Sequence, residues 1–446
     1  MAKLFGTDGV RGIVSSELNI ELATKLGSAV VRVLKNNDKK LTFLIGSDTR
    51  ISKDVLKNAL IAGILSENAN VIDLGVIPTP AVSYLITKYQ VDGGFVISAS
   101  HNPSEYNGIK VFNNEGFKLA DELEAQVEEI ILNNYEYNKE INKLGTYLYQ
   151  KTAIDDYVDY LASTLDCDLS KFVVGLDLAN GAAYETAKKL FTKLNVKYKV
   201  INDRPDGLNI NQNCGSTHIE ALQKFVVDEQ LDCGFAFDGD ADRVLMVDHL
   251  GQLVDGDKII AIYGKYLHDS DKLKNNTLVG TVMSNLGLVK FCEQENINFV
   301  ATKVGDRHVL ESMLKNDYIV GGEQSGHIIF KEFANTGDGE LTAVQILNVM
   351  AKTNKSLAQL ATVMETYPQV LKNVHVKKES KETYQNNKIV TDYLKEQEKL
   401  LNNEGRILVR ASGTENLIRV MLEGKDIAKI TEICDNIVNF LDKELN

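Results

Sequence analysis

Ser98-Ala99-Ser100-His101-Asn102-Pro103 gathers two hydroxyls, an imidazole and a proline in one short stretch. The apolar run Gly94-Phe95-Val96-Ile97 precedes it, and Asn107-Gly108-Ile109-Lys110 follows. A strand ending in such a loop is where an α/β enzyme presents a covalent nucleophile, and a serine there can carry a phosphoryl group. On the residues alone, Ser98 and Ser100 are both open.

Asp238-Gly239-Asp240-Ala241-Asp242-Arg243 lies between two strand-like runs, Cys233 to Phe237 and Val244 to Val247. Three carboxylates at a spacing of two repel one another unless a cation neutralises them, and such hard oxygen ligands suit Mg²⁺ or Mn²⁺. An EF-hand loop begins similarly but needs Gly at its sixth position and Glu at its twelfth. Here those positions hold Arg243 and His249, so that reading fails. A solvated acidic turn is the plainer alternative, and the apolar runs on both sides weigh against it.

Three further stretches carry chemistry. Gly321-Gly322-Glu323-Gln324-Ser325-Gly326-His327 follows Tyr318-Ile319-Val320. Its glycines let backbone approach a ligand, and its Glu, Ser and His suit sugar hydroxyls or an amine. In Arg410-Ala411-Ser412-Gly413-Thr414-Glu415, backbone N–H groups beside Gly413 can form an anion-binding nest, with Arg410 and Arg419 as cations for a phosphate. Gly6-Thr7-Asp8-Gly9-Val10-Arg11-Gly12 offers Arg11 to an anion, although a Gly-rich entry turn explains it equally well. Thr302 to His308 adds basic groups, Lys303 among them, on an expected loop. His101, His308 and His327 all fall in Gly/Ser-containing loops, which favours function over a structural role.

These loops need strands to hold them. Leu41 to Ile45, Asn70 to Leu74 and the run ending at Ser98 alternate with helical patterns, one of which starts at Lys53, as βαβ units do. The rhythm restarts at Phe172 and again at Thr277. After Pro368 the character changes: residues 376–404 are rich in Lys, Glu and Asn. Two strands, Arg406 to Arg410 and Leu417 to Met421, then lead to an amphipathic helix over Ile427 to Leu441. The fold class is α/β, with three similar units around a cleft and a smaller C-terminal α+β domain. The expected boundaries are residues 1–155, 156–254, 255–368 and 369–446.

The chain has 446 residues, room for several domains of roughly 100–200 residues each. A net charge of −13 disfavours nucleic acid as the main ligand, because phosphate-backbone binding rests on an excess of Lys and Arg. The five cysteines are scattered and form no CxxC pair, so neither a disulfide framework nor a zinc site is indicated. The first residues lack a signal-peptide apolar core, and no apolar run reaches the roughly 18 residues of a membrane span. A reducing cytoplasm is the expected setting.

Gly6 to Gly12, Ser98 to Lys110, Asp238 to Arg243, Gly321 to His327 and Arg410 to Arg419 occur in the order found in the α-D-phosphohexomutase superfamily, which the chain resembles over essentially its whole length. The resemblance is to the amino-sugar branch. It implies mixed sheets in three domains and a mobile fourth domain closing over substrate. It also selects Ser100, the residue before His-Asn-Pro, as the phosphoserine. Asp238, Asp240 and Asp242 then hold one Mg²⁺, with the Ser100 phosphate completing the shell. Arg11, His101, Lys110 and His327 stand for proton handling and charge stabilisation. Lys303, Glu323, Ser325 and His327 stand for the sugar, and Arg410, Ser412, Gly413, Thr414 and Arg419 for its phosphate.

The implied reaction converts glucosamine 6-phosphate to glucosamine 1-phosphate through a 1,6-bisphosphate, a step toward UDP-N-acetylglucosamine. Glucosamine or glucose 1,6-bisphosphate is the implied activator, a homodimer the implied assembly, and a cyclic-dinucleotide cyclase a partner in some members. The competing readings are a phosphomannomutase/phosphoglucomutase of the same superfamily and a non-catalytic phosphosugar-binding regulator. Two positions depart from the family pattern. Asn416 stands where proline is usual, with little expected effect, and Glu340 replaces an apolar residue, which puts local packing in doubt.

Overall fold

Gly93–Ile97, Cys233–Phe237 and Thr277–Thr281 are buried at every residue. Near-continuous apolar runs of this kind mark strands covered on both faces, as in the interior of α/β sheets. The computed structural model describes residues 4–6, 8–35, 39–133, 135–136, 143–402, 404–412 and 416–446.

Among these residues the strands form four sheets. The first runs Phe5–Gly6, Gly9–Ile13, Tyr106–Asn113, Gly93–Ile97, Thr42–Ser47, Asn70–Val76, Tyr147–Tyr149 across its width. Its centre is parallel, and Tyr106–Asn113 joins Gly93–Ile97 antiparallel, so the sheet is mixed. The second sheet centres on Val173–Asp177 and Cys233–Phe237, parallel to each other, with Val244–Asp248 antiparallel beside the latter. In the third, Thr277–Thr281 pairs parallel with Val320–Gly322, which pairs antiparallel with Ile328–Phe330. The fourth is fully antiparallel, with Leu417–Gly424 between Gln369–His375 and Gly405–Ala411. The α/β class with mixed sheets and a small C-terminal α+β domain is therefore what the chain adopts.

One connection recurs in three of the sheets. Ser98 to Glu105, Asp238 to Arg243 and Glu323 to His327 each join a strand to its antiparallel neighbour. Such a turn leaves the sheet at a strand end, where polar side chains are free of the ladder. Beneath the first of these turns, Phe95 packs against Phe43 with ring centroids 5.5 Å apart. Burying a side chain of this size stabilises the fold by roughly 1.5–3 kcal/mol.

The expected elements appear with shifted ends. The strands run Thr42–Ser47 and Asn70–Val76, and the last helix reaches Leu445, four residues beyond the expected end. Burial of Leu445 at 7% exposure accounts for that extra turn. Asp426 caps the helix by accepting from the N–H groups of Ala428 and Lys429. Glu340 is wholly buried near the start of the helix Gly339–Thr353, and the Thr186 hydroxyl donates to its Oε1. Burial raises its carboxyl well above the ordinary range, so the neutral acid fits where an apolar residue was expected. Asn416 accepts the Val376 N–H on its carbonyl at 3.0 Å.

By compactness the chain divides into two units. The first comprises Met1–Met283 and Ile297–Val363, and the second Ser284–Asn296 and Met364–Asn446. Within the second, buried Glu423 accepts from the Leu286 N–H at 3.0 Å, which ties the helix Leu286–Glu295 to the fourth sheet. No helix among the described residues is long and apolar enough to cross a membrane.

Candidate active site

The two serines of the first loop face different partners. Ser98 Oγ donates to Asp48 Oδ2 at 2.6 Å and accepts the Ser100 N–H at 3.0 Å. Ser100 Oγ donates to Asp238 Oδ2 at 2.6 Å. Ser98 is thus taken up in bracing the loop, while the Ser100 hydroxyl meets the carboxylate loop of the second sheet. Ser100 has φ +51°, the left-handed region that L-residues seldom occupy. Gly239 is required opposite it, because a Cβ there would come within 2.5 Å of the Ser100 carbonyl oxygen.

Asp238, Asp240 and Asp242 are buried, with one carboxylate oxygen from each lying within 4.8 Å of the others. Lys110, 1% exposed, reaches Asp240 at 2.8 Å, Asp242 at 3.1 Å and Asp8 at 3.0 Å. The alternation continues: Lys118 binds Asp8 at 2.7 Å and also pairs with Asp306. His327 stands 3.7 Å from both Asp306 and Asp242. Asp8, Lys110, Asp242, His327, Asp306 and Lys118 therefore close a ring in which carboxylates alternate with basic side chains. Arg11 joins it through Asp8 at 2.8 Å.

This pattern sets the protonation states. Burial works against the charge on Lys110, yet Asp240, Asp242 and Asp8 overcome it and hold the ammonium well above the usual lysine range. Burial also opposes ionisation of Asp242, but Lys110 and His327 bring that carboxyl well below its ordinary value. Asp238 moves the other way: burial raises it strongly, and Asp242 and Asp240 add repulsion. Burial, Arg243 and Arg11 lower His101 to about 4, so its ring is neutral at neutral pH. The His101 Nδ1 lies 3.4 Å from Ser100 Oγ and 3.0 Å from Arg243 Nη1.

The donor set fits a small divalent cation. Asp240 Oδ1 is buried and has no hydrogen-bond partner among the described residues. Asp238 is the carboxylate of the three that Lys110 does not contact, and burial first, then repulsion from Asp242 and Asp240, raises its pKa. Carboxylate oxygens are the ligands such an ion prefers.

The sugar-type loop is partly tethered. Glu323 Oε1 accepts the Gly305 N–H at 3.0 Å, and Ser325 is exposed. His327 is fixed by the Gly337 N–H, which donates to its Nε2 at 3.0 Å. A side chain at position 337 would collide with that ring at 2.6 Å, so the glycine is what admits it. Lys303 is exposed beyond the strand Asn298–Thr302. His308 faces Glu311 at 3.5 Å and does not join the charge ring. In the second unit, Arg410 and Arg419 are register partners across antiparallel strands, and Ser412 is buried beside them. Gly413 and Thr414 lie outside the described residues.

Several members of the cluster were not singled out from sequence. Asp8 lay inside a motif quoted only for Arg11. Thr79 donates its N–H to the Asp240 carbonyl at 3.0 Å and its hydroxyl to the Asp240 carboxylate. Asp306 lay inside the stretch Thr302 to His308, noted only for its basic groups, and Lys118 and Asn211 carried no local signal. Asp48 and Arg50 read as an ordinary strand end.

Four profiles of one family match the chain in order: the alpha/beta/alpha domains I, II and III of phosphoglucomutase/phosphomannomutase at residues 2–138, 155–251 and 255–367, and its C-terminal domain at 371–440. The chain belongs to the phosphoglucomutase/phosphomannomutase family. It is 51% identical over 448 residues to a phosphoglucosamine mutase of Acetivibrio thermocellus, covering 100% of both chains. A phosphoglucomutase/phosphomannomutase family protein from Burkholderia thailandensis shares the fold, with a TM-score of 0.82 at 21% identity, covering 99% of this chain and 97% of that one. The N-acetylphosphoglucosamine mutase of Aspergillus fumigatus, solved with GlcNAc-6P and magnesium, shares it at a TM-score of 0.68 and 16% identity, covering 100% of this chain and 97% of that one.

Proposed function

We propose that this chain is a phosphoglucosamine mutase, an isomerase that interconverts glucosamine 6-phosphate and glucosamine 1-phosphate through a phosphoserine at Ser100. The observation that carries this reading is Ser100 Oγ at 2.6 Å from Asp238, against the three-carboxylate cluster. Identity of about half over full length to a relative of that name supports the choice of sugar.

In the first half-reaction the phosphoryl group leaves Ser100 Oγ for the free hydroxyl of the sugar phosphate. The bond from phosphorus to Oγ breaks, a bond from phosphorus to the sugar oxygen forms, and the hydroxyl proton ends on the serine oxygen. The 1,6-bisphosphate reorients, and its other phosphoryl group returns to Ser100 by the reverse exchange. His101, kept neutral, is the imidazole within reach of that oxygen for the proton. Lys110, held by three carboxylates, keeps its proton and balances charge, with Arg11 and His327 on the same ring. Asp238, Asp240 and Asp242, with the Ser100 phosphate, would hold Mg²⁺, which would supply charge neutralisation at the transferring group. Glu323 and Ser325 read the sugar, with Lys303 and His327 beside them. Arg410, Ser412, Gly413, Thr414 and Arg419 bind a sugar phosphate. A hexose 1,6-bisphosphate activator, a homodimer, a cyclase partner and a cytoplasmic setting belong to the same reading.

The test compares turnover of glucosamine 6-phosphate with that of glucose and mannose 6-phosphates, and reads intact mass for one phosphate mapped to Ser100. Glucosamine 6-phosphate should turn over fastest, and Ser100→Ala should lower the rate more than about 1,000-fold with the fold retained. Preference for mannose 6-phosphate would move the chain to the phosphomannomutase reading. Absence of turnover on all three would leave a phosphosugar-binding regulator.

A further inference from the structure

Ser100 occupies a conformation that a serine does not hold unaided. Residues in the left-handed region are kept there by surrounding structure, and such strain collects where geometry matters for function. The restraint here acts on backbone carbonyls. Arg50 is wholly buried, and its Nε is neutralised by Asp48 Oδ2 at 2.9 Å. Its Nη2 donates to the carbonyl oxygens of Ser100 at 3.0 Å and Asn102 at 2.7 Å, and its Nη1 donates to that of Pro103. From the second sheet's side, Asn211 Nδ2 donates to the same two oxygens, Ser100 at 2.8 Å and Asn102 at 3.1 Å. Asn211 has φ +58°, and its own N–H donates to the Ala179 carbonyl at 3.0 Å, just past the strand Val173–Asp177.

The Ser100 carbonyl is therefore held by two donors, one from each side. Asn211 belongs to the same sheet region as the aspartate loop, because a Cβ on Gly239 would come within 2.9 Å of Asn211 Nδ2. The clamp thus fixes the serine relative to the aspartates without using the serine side chain. That distinction matters on the proposed pathway, on which this inference rests. The Ser100 Oγ–H donated to Asp238 is absent whenever Oγ carries a phosphoryl group, and it returns when the group leaves. The carbonyl clamp makes no use of the reacting atom and persists through both states.

We propose that Arg50 and Asn211 are positioning residues that hold Ser100 in its left-handed conformation, so that the dephosphorylated serine stays aimed and recaptures a phosphoryl group from the bisphosphate before that intermediate escapes. Arg50 carries no uncompensated charge toward the site, because Asp48 neutralises it. Its contribution is geometric. Misplacement of a reacting group by about 1 Å can lower a rate about a hundredfold.

The experiment uses Asn211→Asp in the full chain. Aspartate keeps the shape and tolerates the positive φ, but it replaces the donor with acceptors facing two carbonyls. Glucosamine 6-phosphate turnover is measured with and without added glucose 1,6-bisphosphate, intact mass follows Ser100 phosphorylation during turnover, and thermal melting checks the fold. Without the added bisphosphate, kcat should fall about tenfold or more with KM within about twofold, and unphosphorylated enzyme should accumulate. Added bisphosphate should restore most of the rate. Asn211→Ala, which removes the amide without adding charge, should behave likewise and serves if the aspartate variant does not fold. Wild-type kcat, or a loss that bisphosphate does not relieve and that leaves Ser100 phosphorylation unchanged, would overturn the clamp. Full activity in Ser100→Ala would instead overturn the phosphoserine reading itself.

Discussion

Lys110 and Arg410 are both cations in candidate phosphate chemistry, and the protein treats them in opposite ways. Lys110 is 1% exposed and contacts three carboxylates, which raise its pKa. Arg410 is half-buried on a strand edge opposite Arg419, and burial together with that second guanidinium lowers its pKa. The first region has its counter-charges built in. In the second, Arg419 stands opposite Arg410 as a like charge, and on the proposed reading a sugar phosphate offsets that repulsion. Charges that persist through turnover can be buried because partners repay their desolvation, whereas charges that wait for a ligand stay near water. On the proposed reading, the phosphoryl-transfer cluster is preformed, and Arg410 is the cation that a sugar phosphate meets.

The largest expected break in that contrast comes from the preformed side. Asp240→Asn removes one charge from the cluster while keeping its shape, and it weakens the contacts from Lys110 and Thr79. Turnover should fall roughly 10²- to 10³-fold, and excess Mg²⁺ should not restore it. A wild-type rate with an unchanged Mg²⁺ requirement would show that the carboxylate cluster is not the metal centre.

Next in size is a pH effect on stability from the same buried environment. Asp338 caps the helix Gly339–Thr353, and burial raises its carboxyl from 3.8 to about 6. A carboxyl raised on folding favours the folded state while protonated. Its stabilisation is complete below pH 3.8 and is lost as pH rises through about 6. Asp338→Asn keeps a cap and removes the titration. Relative to the native chain, the variant should gain up to about 3 kcal/mol between pH 4 and pH 7 in urea unfolding. A difference that stays constant with pH would contradict the assignment.

The smallest effect lies on the other side of the comparison. Arg410→Ala should raise KM for glucosamine 6-phosphate about 10- to 100-fold, the size of a lost charge-assisted hydrogen bond. Because this cation is disfavoured where it stands, unfolding free energy should change by only about 0.5 kcal/mol. A large stability loss with KM unchanged would make Arg410 structural and erase the contrast.

Legibility divides along chain distance. The strand alternation and the four motif loops are local patterns, and the sheets place three of these loops between a strand and its antiparallel neighbour, as their flanking apolar runs indicate. Asn211 lies 111 residues from Ser100, and Lys118 lies 188 from Asp306. Nothing in the local spacing of these residues foretells that they meet. Glu340 marks the reverse limit: its polarity suggested disturbed packing, and a single threonine from another helix accommodates it.

The sequence by itself determined the α/β class, the run of elements and the residue types of the candidate site, because periodicity and turn chemistry act over a few neighbours. Only the tertiary structure decided which oxygen each serine faces, which carboxylate lacks a lysine, and that an asparagine from a turn beside the second sheet holds the Ser100 carbonyl. Those outcomes depend on ångström-scale distances between strand ends, and such distances exist only once the sheets have packed.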